Sequence, residues 1–340
     1  MDSITQIVLG AAVGEAVAGK HIGNKAALWG AFAGTIPDLD VLFMGFFNPL
    51  DATLFHRGFS HSFLFACIIG PLLGMILHKI SKVKMDLKSW ILLFFLGIVT
   101  HPILDMFTTY GTEFLWPFPN RIAFNTVFVI DPLYTIPFMI CLILAMRLPK
   151  NHPKRFHINM GGIIYSTSYL LLGVVLKLSI LFYANNNLDS SNINPDRTSV
   201  SPMPLTIFYW MTIKEDREKF YIDHTSIFNP EKEKIELTIS KNHHLLQNQN
   251  TIDSIELKKI EFISKGYYTV EKIKSKLNVY DLRFGCAAPL TNKTIKIPLM
   301  GYSFDIENEK KLGGIEKIRP NEIFQNLSFF NYLSQILTGE

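Results

Sequence analysis

Long apolar stretches separated by short polar segments fill the first half of the chain. A membrane-spanning helix needs roughly 20 predominantly apolar residues, and six stretches meet this requirement to differing degrees. They cover residues about 4–20, 24–47, 62–78, 89–108, 128–147 and 160–184. The first contains Glu15 and several small residues, which suits packing against another helix, and it is either a span or a re-entrant helix. The pattern predicts an α-helical polytopic membrane bundle of about six spans over residues 1–184.

The pattern changes after residue 184. Amides, serines and a proline mark a linker over residues 185–200. Beyond it, short stretches rich in β-branched and aromatic residues alternate with turn signals, which is typical of strands. The clearest of these cover residues about 235–240, 258–263, 267–273 and 294–298. We therefore predict a small, mostly β, water-soluble domain over residues 201–340.

Composition agrees with this division into two parts. The chain is 48% hydrophobic and has a mean hydropathy of +0.21, which is too apolar for an ordinary soluble protein of this size. Residues 1–184 carry 22 Asp, Glu, Lys and Arg residues, whereas the remaining 156 residues carry 40, of which 20 are basic and 20 acidic. Because the second part is electrically balanced, the net charge of +4 does not indicate nucleic-acid binding. Three cysteines are too few for a disulfide framework.

The distribution of Lys and Arg between the predicted loops sets the orientation, because cytoplasmic loops hold the excess of these residues. One set of loops contains Lys20, Lys25, Lys79, Lys82, Lys84, Lys88, Arg147, Lys150, Lys154 and Arg155, and the opposite set contains Arg57 and Arg121. The first set is predicted to be cytoplasmic. We therefore predict a multi-pass protein of the cell (inner) membrane, whose loops 48–61 and 109–127 and C-terminal domain are extracytoplasmic.

Asp38 and Asp40 form the first of three polar motifs in the apolar half. Pro37 precedes them and interrupts the apolar stretch, since proline lacks the N–H that would continue a helix. A broken helix lets both carboxylates turn toward one point. The alternative is an ordinary Pro-Asp turn.

His56, Arg57 and His61 form the second motif, immediately before the third apolar stretch. Two histidines five residues apart at the start of a helix can bind one metal ion or two neighbouring ones. The planar guanidinium of Arg57 suits a phosphate or a carboxylate. The alternative is a surface segment in which Ser60 caps the third helix and Arg57 lies among the lipid headgroups.

His101 and Asp105 form the third motif, inside the fourth apolar stretch. Residues four apart share one face of a helix and lie about 6 Å apart along its axis. Ionisable side chains within a span are costly and normally face a partner or a polar cavity. The alternative is a structural His-Asp hydrogen bond that holds two spans together.

The three motifs lie on the same predicted side of the membrane. They supply six candidate metal ligands, Asp38, Asp40, His56, His61, His101 and Asp105. Mixed imidazole and carboxylate ligation suits zinc, manganese or iron better than calcium or magnesium, and six ligands suffice for two ions. We predict a divalent-metal site that holds one or two ions, with zinc or manganese as the metal. Arg57, Asp40 and His61 are the predicted catalytic residues.

Four more polar residues fall on the same predicted side and could support this site. Tyr110 and Glu113 are candidates for lining a substrate entrance, and Thr108 is a candidate for supporting a ligand. Asp131 opens the fifth apolar stretch, where it either orients a histidine or caps the helix.

The order of the motifs resembles the YdjM/YfhP type of predicted membrane-bound, metal-dependent hydrolases. The resemblance is carried by Pro37-Asp38-Leu39-Asp40, by His56-Arg57-Gly58-Phe59-Ser60-His61-Ser62 and by Thr100-His101-Pro102-Ile103-Leu104-Asp105 with the following Thr108-Thr109-Tyr110-Gly111. It covers the whole helical half and implies hydrolysis as the reaction class. Many members begin with a Thr-His pair, whereas this chain has Thr5-Gln6. Gln6 would then hydrogen-bond a metal-bound water instead of binding the metal.

Such a site would use a metal-activated water to attack phosphorus or a carbonyl carbon. Because the site opens at the outer membrane-water boundary, we expect a phosphoester or lipid-linked substrate, with membrane lipid as a partner and no nucleic acid. One alternative is a metal-ion transporter or sensor, which should show polar groups continuing toward the cytoplasmic face. Another is a non-catalytic membrane scaffold in which a structural metal joins the helices.

Overall fold

The computed structural model describes residues 1–83, 85–186, 195–229, 237–247, 254–285, 300–305, 315–318, 334 and 336–337. The chain divides into two compact units. We call the first the helical unit; it contains Met1–Leu42, Phe55–Val174 and Pro204–Thr206. We call the second the β unit; it contains Phe43–Leu54, Val175–Met203 and Ile207–Glu340. The short segment Phe43–Leu54 therefore belongs to the β unit, although it lies between two parts of the helical unit in the sequence.

All six predicted apolar stretches form helices. The bounds of the helices in the first half are α1 Ser3–Ile22, α2 Asn24–Thr35, α3 Pro49–Phe55, α4 Phe63–Ile80, α5 Leu87–Met106, α6 Pro132–Met146 and α7 Pro153–Asn186. In the described part of the chain, four segments are long and apolar enough to cross a membrane, namely Asn24–Phe46, Phe63–Ile80, Leu87–Met106 and Pro153–Asn185. The prediction of a helical membrane region is confirmed, and the count of six spans stays a prediction.

Small residues let α1 and α2 pack with their backbones in contact. A Cβ atom added to Gly14 would lie 2.3 Å from the carbonyl oxygen of Ala26, and one added to Gly10 would lie 2.4 Å from that of Gly30. Glycines spaced four apart allow this close approach between helices. The packing role predicted for the small residues of the first stretch is the one observed.

We expect Gly14→Ala to destabilise the helical unit by about 1–3 kcal/mol, because the added methyl group would overlap the backbone of α2. Thermal unfolding of the detergent-solubilised protein, followed by tryptophan fluorescence, measures the change. Gly161→Ala in α7 is the control, since a Cβ atom at Gly161 meets nothing within 4 Å in the described structure. Equal unfolding temperatures for the two variants would contradict the packing argument.

The helix α2 ends at Thr35, and a 3-10 helix continues from Ile36 to Phe46. Pro37 lies at this change of geometry and has no N–H to donate to the carbonyl of Gly34 three residues earlier. That carbonyl accepts instead from His101 Nδ1, at 2.6 Å. The proline therefore both breaks the helix and leaves a backbone acceptor for a side chain of α5.

The β unit contains two four-stranded antiparallel sheets. Strands β1 Arg197–Pro202, β2 Tyr209–Glu215, β3 Lys219–Ser226 and β4 Leu237–Ser240 form one sheet in sequential order. Strands β5 Tyr268–Ile273, β6 Lys276–Asp281, β7 Gly301–Asp305 and β8 Ile315–Ile318 form the other. The prediction of a mostly β C-terminal part is confirmed, and β1 begins inside the segment predicted as a linker.

One predicted strand is wrong. Residues 258–263 lie in helix α9, Ser254–Ser264, which follows the short helix α8, His244–Gln247. Leu257, Ile260 and Ile263 all pack into the same hydrophobic core, and residues three apart share a face only on a helix. Predicted strand 267–273 corresponds to β5, and residues 237–240 of predicted strand 235–240 form β4. Residues 235–236 and 294–298 lie outside the described residues.

Candidate metal centre

Four side chains of the helical unit bring metal-binding atoms close together. His61 Nε2 lies 3.2 Å from Asp38 Oδ1, 3.2 Å from His101 Nε2 and 3.7 Å from Asp105 Oδ2. His101 Nε2 lies 3.4 Å from Asp38 Oδ1 and 3.6 Å from Asp105 Oδ2. The side chains of His61, His101 and Asp105 are at most 1% exposed, and that of Asp38 is 24% exposed. The cluster is therefore buried and has its more open side at Asp38.

Hydrogen bonds at the other ring nitrogens fix the tautomers of both histidines. His101 Nδ1 faces the Gly34 carbonyl, which only accepts, so this nitrogen carries a hydrogen. His61 Nδ1 lies 2.9 Å from Ser60 Oγ, whose own hydrogen goes to Asp40 Oδ2 at 2.7 Å. His61 Nδ1 is therefore a donor too. Burial lowers the pKa of His61 to about 4, which keeps that ring neutral at pH 7.

The resulting arrangement fits a divalent cation. In neutral rings with hydrogen on Nδ1, the two Nε2 atoms present lone pairs to each other and to two carboxylate oxygens. Four such atoms repel one another unless a cation lies among them. A tetrahedral zinc ion with bonds of 2.0–2.2 Å has ligand atoms about 3.3–3.6 Å apart, which is close to the separations of 3.2, 3.6 and 3.7 Å among the ligand atoms of His61, His101 and Asp105. Asp38, His56 and His61 offer a further group, with ligand atoms within 4.8 Å of one another.

Asp40 lies outside this set of four atoms and holds the histidines instead. Its Oδ1 is 2.8 Å from His56 Nδ1, and its Oδ2 accepts from Ser60 and lies 3.5 Å from His61 Nδ1. A carboxylate behind a histidine fixes the orientation and the tautomer of the ring. The Ser60 hydroxyl belongs to this network, and the cap of α4 is Ser62, which accepts from the amide of Phe65.

Arg57 lies against the same cluster in an unusual backbone conformation. Its φ is +68°, a left-handed value that side chains other than glycine rarely adopt. Its Nε is 3.3 Å from Asp105 Oδ2, and its Nη1 donates to Thr108 Oγ1 at 3.1 Å. The guanidinium carbon lies 5.1 Å from the centre of the Tyr110 ring. The structure thus brings Arg57, Thr108 and Tyr110 together with a candidate ligand.

Gln6 reaches the cluster from α1. Its Nε2 donates to Asp105 Oδ1 at 3.1 Å and to the carbonyl of His101 at 3.3 Å, and the Met1 nitrogen contacts the same carboxylate oxygen. Within the described residues, the buried Gln6 Oε1 has no hydrogen-bond partner. An acceptor in this position suits the binding of a water molecule at the cluster.

The remaining predicted residues lie around this centre. Glu113 accepts from Arg121 Nε at 3.4 Å, and its amide donates to the Arg57 carbonyl at 3.0 Å. Asp131 caps α6, where it accepts from the amides of residues 133 and 134 and from the hydroxyl of residue 169. Arg121 was missed as a supporting residue, although it donates to the His56 carbonyl at 2.9 Å. The sequence did contain a signal for it, since Arg121 and Arg57 are the only Lys or Arg residues in the predicted outer loops 48–61 and 109–127.

Comparison with known proteins gives a family and two curated relatives. A model of the YdjM inner membrane protein family matches residues 1–184. The inner membrane protein YbcI of Escherichia coli (strain K12) is 28% identical over 120 residues, which are 35% of this chain and 68% of that protein. The uncharacterized protein YfhP of Bacillus subtilis (strain 168) is 22% identical over 309 residues, with 79% of this chain and 89% of that protein covered. No solved structure matches the chain significantly.

Proposed function

Since this chain belongs to the YdjM inner membrane protein family, we propose that it is a membrane-bound, metal-dependent hydrolase that cleaves a phosphoester or another lipid-linked substrate. The observation that carries the proposal is the pair of Nε2 atoms of His61 and His101, 3.2 Å apart and flanked by two carboxylates. The side chains suit one or two zinc or manganese ions. A bound ion would supply Lewis acidity and a water activated at neutral pH.

Two side chains beside the metal ligands have the chemistry to act on a substrate. Arg57 offers a planar donor group next to Asp105, which suits binding and orienting a phosphoryl oxygen. Asp40 holds His56 by Nδ1, which directs the hydrogen to that nitrogen and leaves Nε2 to exchange a proton. The His56 side chain is 23% exposed, so its ring is open to a substrate. We assign substrate binding to Arg57 and proton transfer to His56, with Asp40 as its orienting partner.

The membrane setting favours a lipid-linked substrate. Four apolar segments and the family support a location in the cell (inner) membrane. The excess of Lys and Arg in one set of loops favours an extracytoplasmic site in a six-span bundle. A phospholipid headgroup or another lipid-linked phosphate would then reach the site from the bilayer surface. Membrane lipid is the proposed partner.

Asp40→Asn tests the enzyme against a transporter or a structural metal. We expect this variant still to bind the metal at saturating concentration, with an affinity lowered by at most about 10–100-fold, because Asp40 supports His61 but offers none of the four atoms. We expect kcat at saturating metal to fall by about 10²–10⁴-fold, because His56 loses its orienting carboxylate. Elemental analysis of the purified protein and hydrolysis of phospholipid and generic phosphoester substrates measure the two effects. Asp86→Asn, at the exposed cap of α5, is the control and should change neither.

Three other outcomes would contradict the proposal. Metal without hydrolysis in the wild type favours transport or a structural site. Hydrolysis that is unchanged in Asp40→Asn removes the proposed role of His56. A folded wild type that binds neither zinc nor manganese removes the metal centre itself.

A further inference from the structure

The segment that leads into the His56 motif is part of the core of the β unit. Leu50 of α3 is 1% exposed. It belongs to one hydrophobic cluster with Leu246, Ile260, Ile263, Tyr268, Val270, Leu277, Val279, Tyr302 and Phe304. These residues come from helices α8 and α9 and from strands β5, β6 and β7. A side chain from a loop of the membrane half thus completes the core of the C-terminal part.

Polar contacts fix the same helix from two further sides. The hydroxyl of Tyr302 in β7 donates to Thr53 Oγ1 at 2.8 Å, in a buried position. Lys259 Nζ of α9 lies 2.5 Å from Asp51 Oδ1. Three contacts within about one turn of the helix, apolar at Leu50 and polar at Asp51 and Thr53, hold α3 to the rest of the β unit.

The helix is also internally rigid. Asn48 Oδ1 accepts from the amides of Leu50 and Asp51 at 3.0 and 2.9 Å, which satisfies the open N–H groups of the first turn. Thr53 Oγ1 donates to the Pro49 carbonyl at 2.9 Å. A short helix that is capped in this way moves as one body with the core to which it is attached.

The helix ends at Phe55, and the next two residues are His56 and Arg57. Each residue of an extended chain spans at most about 3.6 Å, so the short connection from Thr53 to Arg57 leaves little slack. Arg57 has a φ of +68°, a conformation that persists only where its surroundings hold it. Arg121 holds the carbonyl of His56 at 2.9 Å, and backbone and side-chain contacts within the helical unit hold Arg57. The helix α3 supports the same turn from its N-terminal side.

We infer that the β unit positions His56 and Arg57 through α3, so that Leu50, Thr53 and Tyr302 are positioning residues of the proposed hydrolytic site. The activity readout below rests on the proposed function, whereas the amide-exchange readout does not.

Leu50→Ala in the full-length protein is the test, with Leu277→Ala as the matched control. Leu277 is a fully buried leucine of the same core, but it lies in β6. We expect Leu50→Ala to raise hydrogen–deuterium exchange of residues 56–62 by about tenfold or more, because local opening there becomes easier. We also expect kcat to fall by about tenfold or more with the metal content unchanged, because misplacement of a positioned group slows the chemical step. Leu277→Ala should change both by less than about twofold, even where its unfolding temperature falls equally.

Equal exchange in the two variants, or unchanged exchange in Leu50→Ala, would overturn the inference. Should Leu50→Ala not fold, Tyr302→Phe against Tyr280→Phe decides in its place, because only Tyr302 donates to α3 among these tyrosines. Reversing the charges of Asp51 and Lys259 together should restore the exchange that Asp51→Lys alone accelerates. A wild type without hydrolysis would contradict the proposed function, and the exchange data would still decide the positioning.

Discussion

We expect His101→Ala to remove the bound metal and the hydrolytic activity together. His101 offers one of the four converging atoms, and its Nε2 lies within 3.6 Å of the other three. Its loss removes a candidate ligand. It also leaves the Gly34 carbonyl without a hydrogen-bond donor, because Pro37 has no N–H to replace the ring N–H of His101. Losing a supporting residue of a ligand costs 10–100-fold in metal affinity, so losing the ligand itself should cost more than about 100-fold. Elemental analysis and substrate hydrolysis on the same samples measure both losses.

His78→Ala is the control for this prediction, because His78 lies at the opposite end of α4 and bonds only the Met85 carbonyl among the described residues. It should keep both metal and activity. The unfolding temperature of His101→Ala, measured without added metal, should fall below that of the metal-free wild type only by the loss of one buried hydrogen bond, about 1–3 kcal/mol. A His101→Ala protein that retains zinc or manganese with wild-type affinity would show that the four-atom set is not the metal centre.

The helices of the first half were predictable because each is a long apolar stretch with its own polar boundaries. The break at Pro37 was predictable as well, since a proline has one consequence for a helix wherever it occurs. Helix α9 was not, because Ile260 and Ile263, with Phe262 between them, form a short, mostly apolar run that fits a strand buried on both faces as well as a helix. Only the core that receives both of them, formed with α3 and the second sheet, selects the helix.

The sequence could indicate which residues come together in the candidate metal centre, but not how they are arranged there. Asp38 and Asp40 are equivalent in the sequence, yet only Asp38 lies among the four converging atoms, and Asp40 binds His56 and Ser60. The backbone of the 3-10 helix decides which carboxylate faces which histidine, and no sequence pattern specifies that helix. The family resemblance is confirmed by the match over residues 1–184.

The structure gives a role to Gln6, which stands where the family resemblance leads one to expect a histidine. Its amide nitrogen donates to Asp105 and to the His101 carbonyl, so this residue supports the candidate centre by hydrogen bonds to one candidate ligand and to the backbone of another. Close packing of α1 on α2 at Gly10 and Gly14 brings Gln6 to this place. The first helix thus contributes to the candidate site, although it is not among the four described segments that are long and apolar enough to cross a membrane.

The largest effect on stability is expected for Arg155→Ala. Arg155 Nε and Nη2 each donate to a Glu15 carboxylate oxygen at 2.6 Å, and its Nη1 donates to the Leu148 carbonyl at 2.7 Å. The side chains of both charged residues are at most 4% exposed. Removing the arginine leaves a buried carboxylate without its partner, which costs about 3–5 kcal/mol. Thermal unfolding in detergent should show a fall of more than about 5 °C.

The double variant Glu15→Gln with Arg155→Gln separates lost charge from lost packing. The double variant has no buried ion, and a buried ion pair contributes little net stability compared with neutral partners. We therefore expect the double variant to recover a large part of the stability that Arg155→Ala loses. Lys154→Ala, one residue away on the exposed side of α7, should leave the unfolding temperature within about 2 °C, as surface substitutions usually do. If the double variant is less stable than Arg155→Ala, the unpaired Glu15 carboxylate is not the main cause of the lost stability, and the prediction fails.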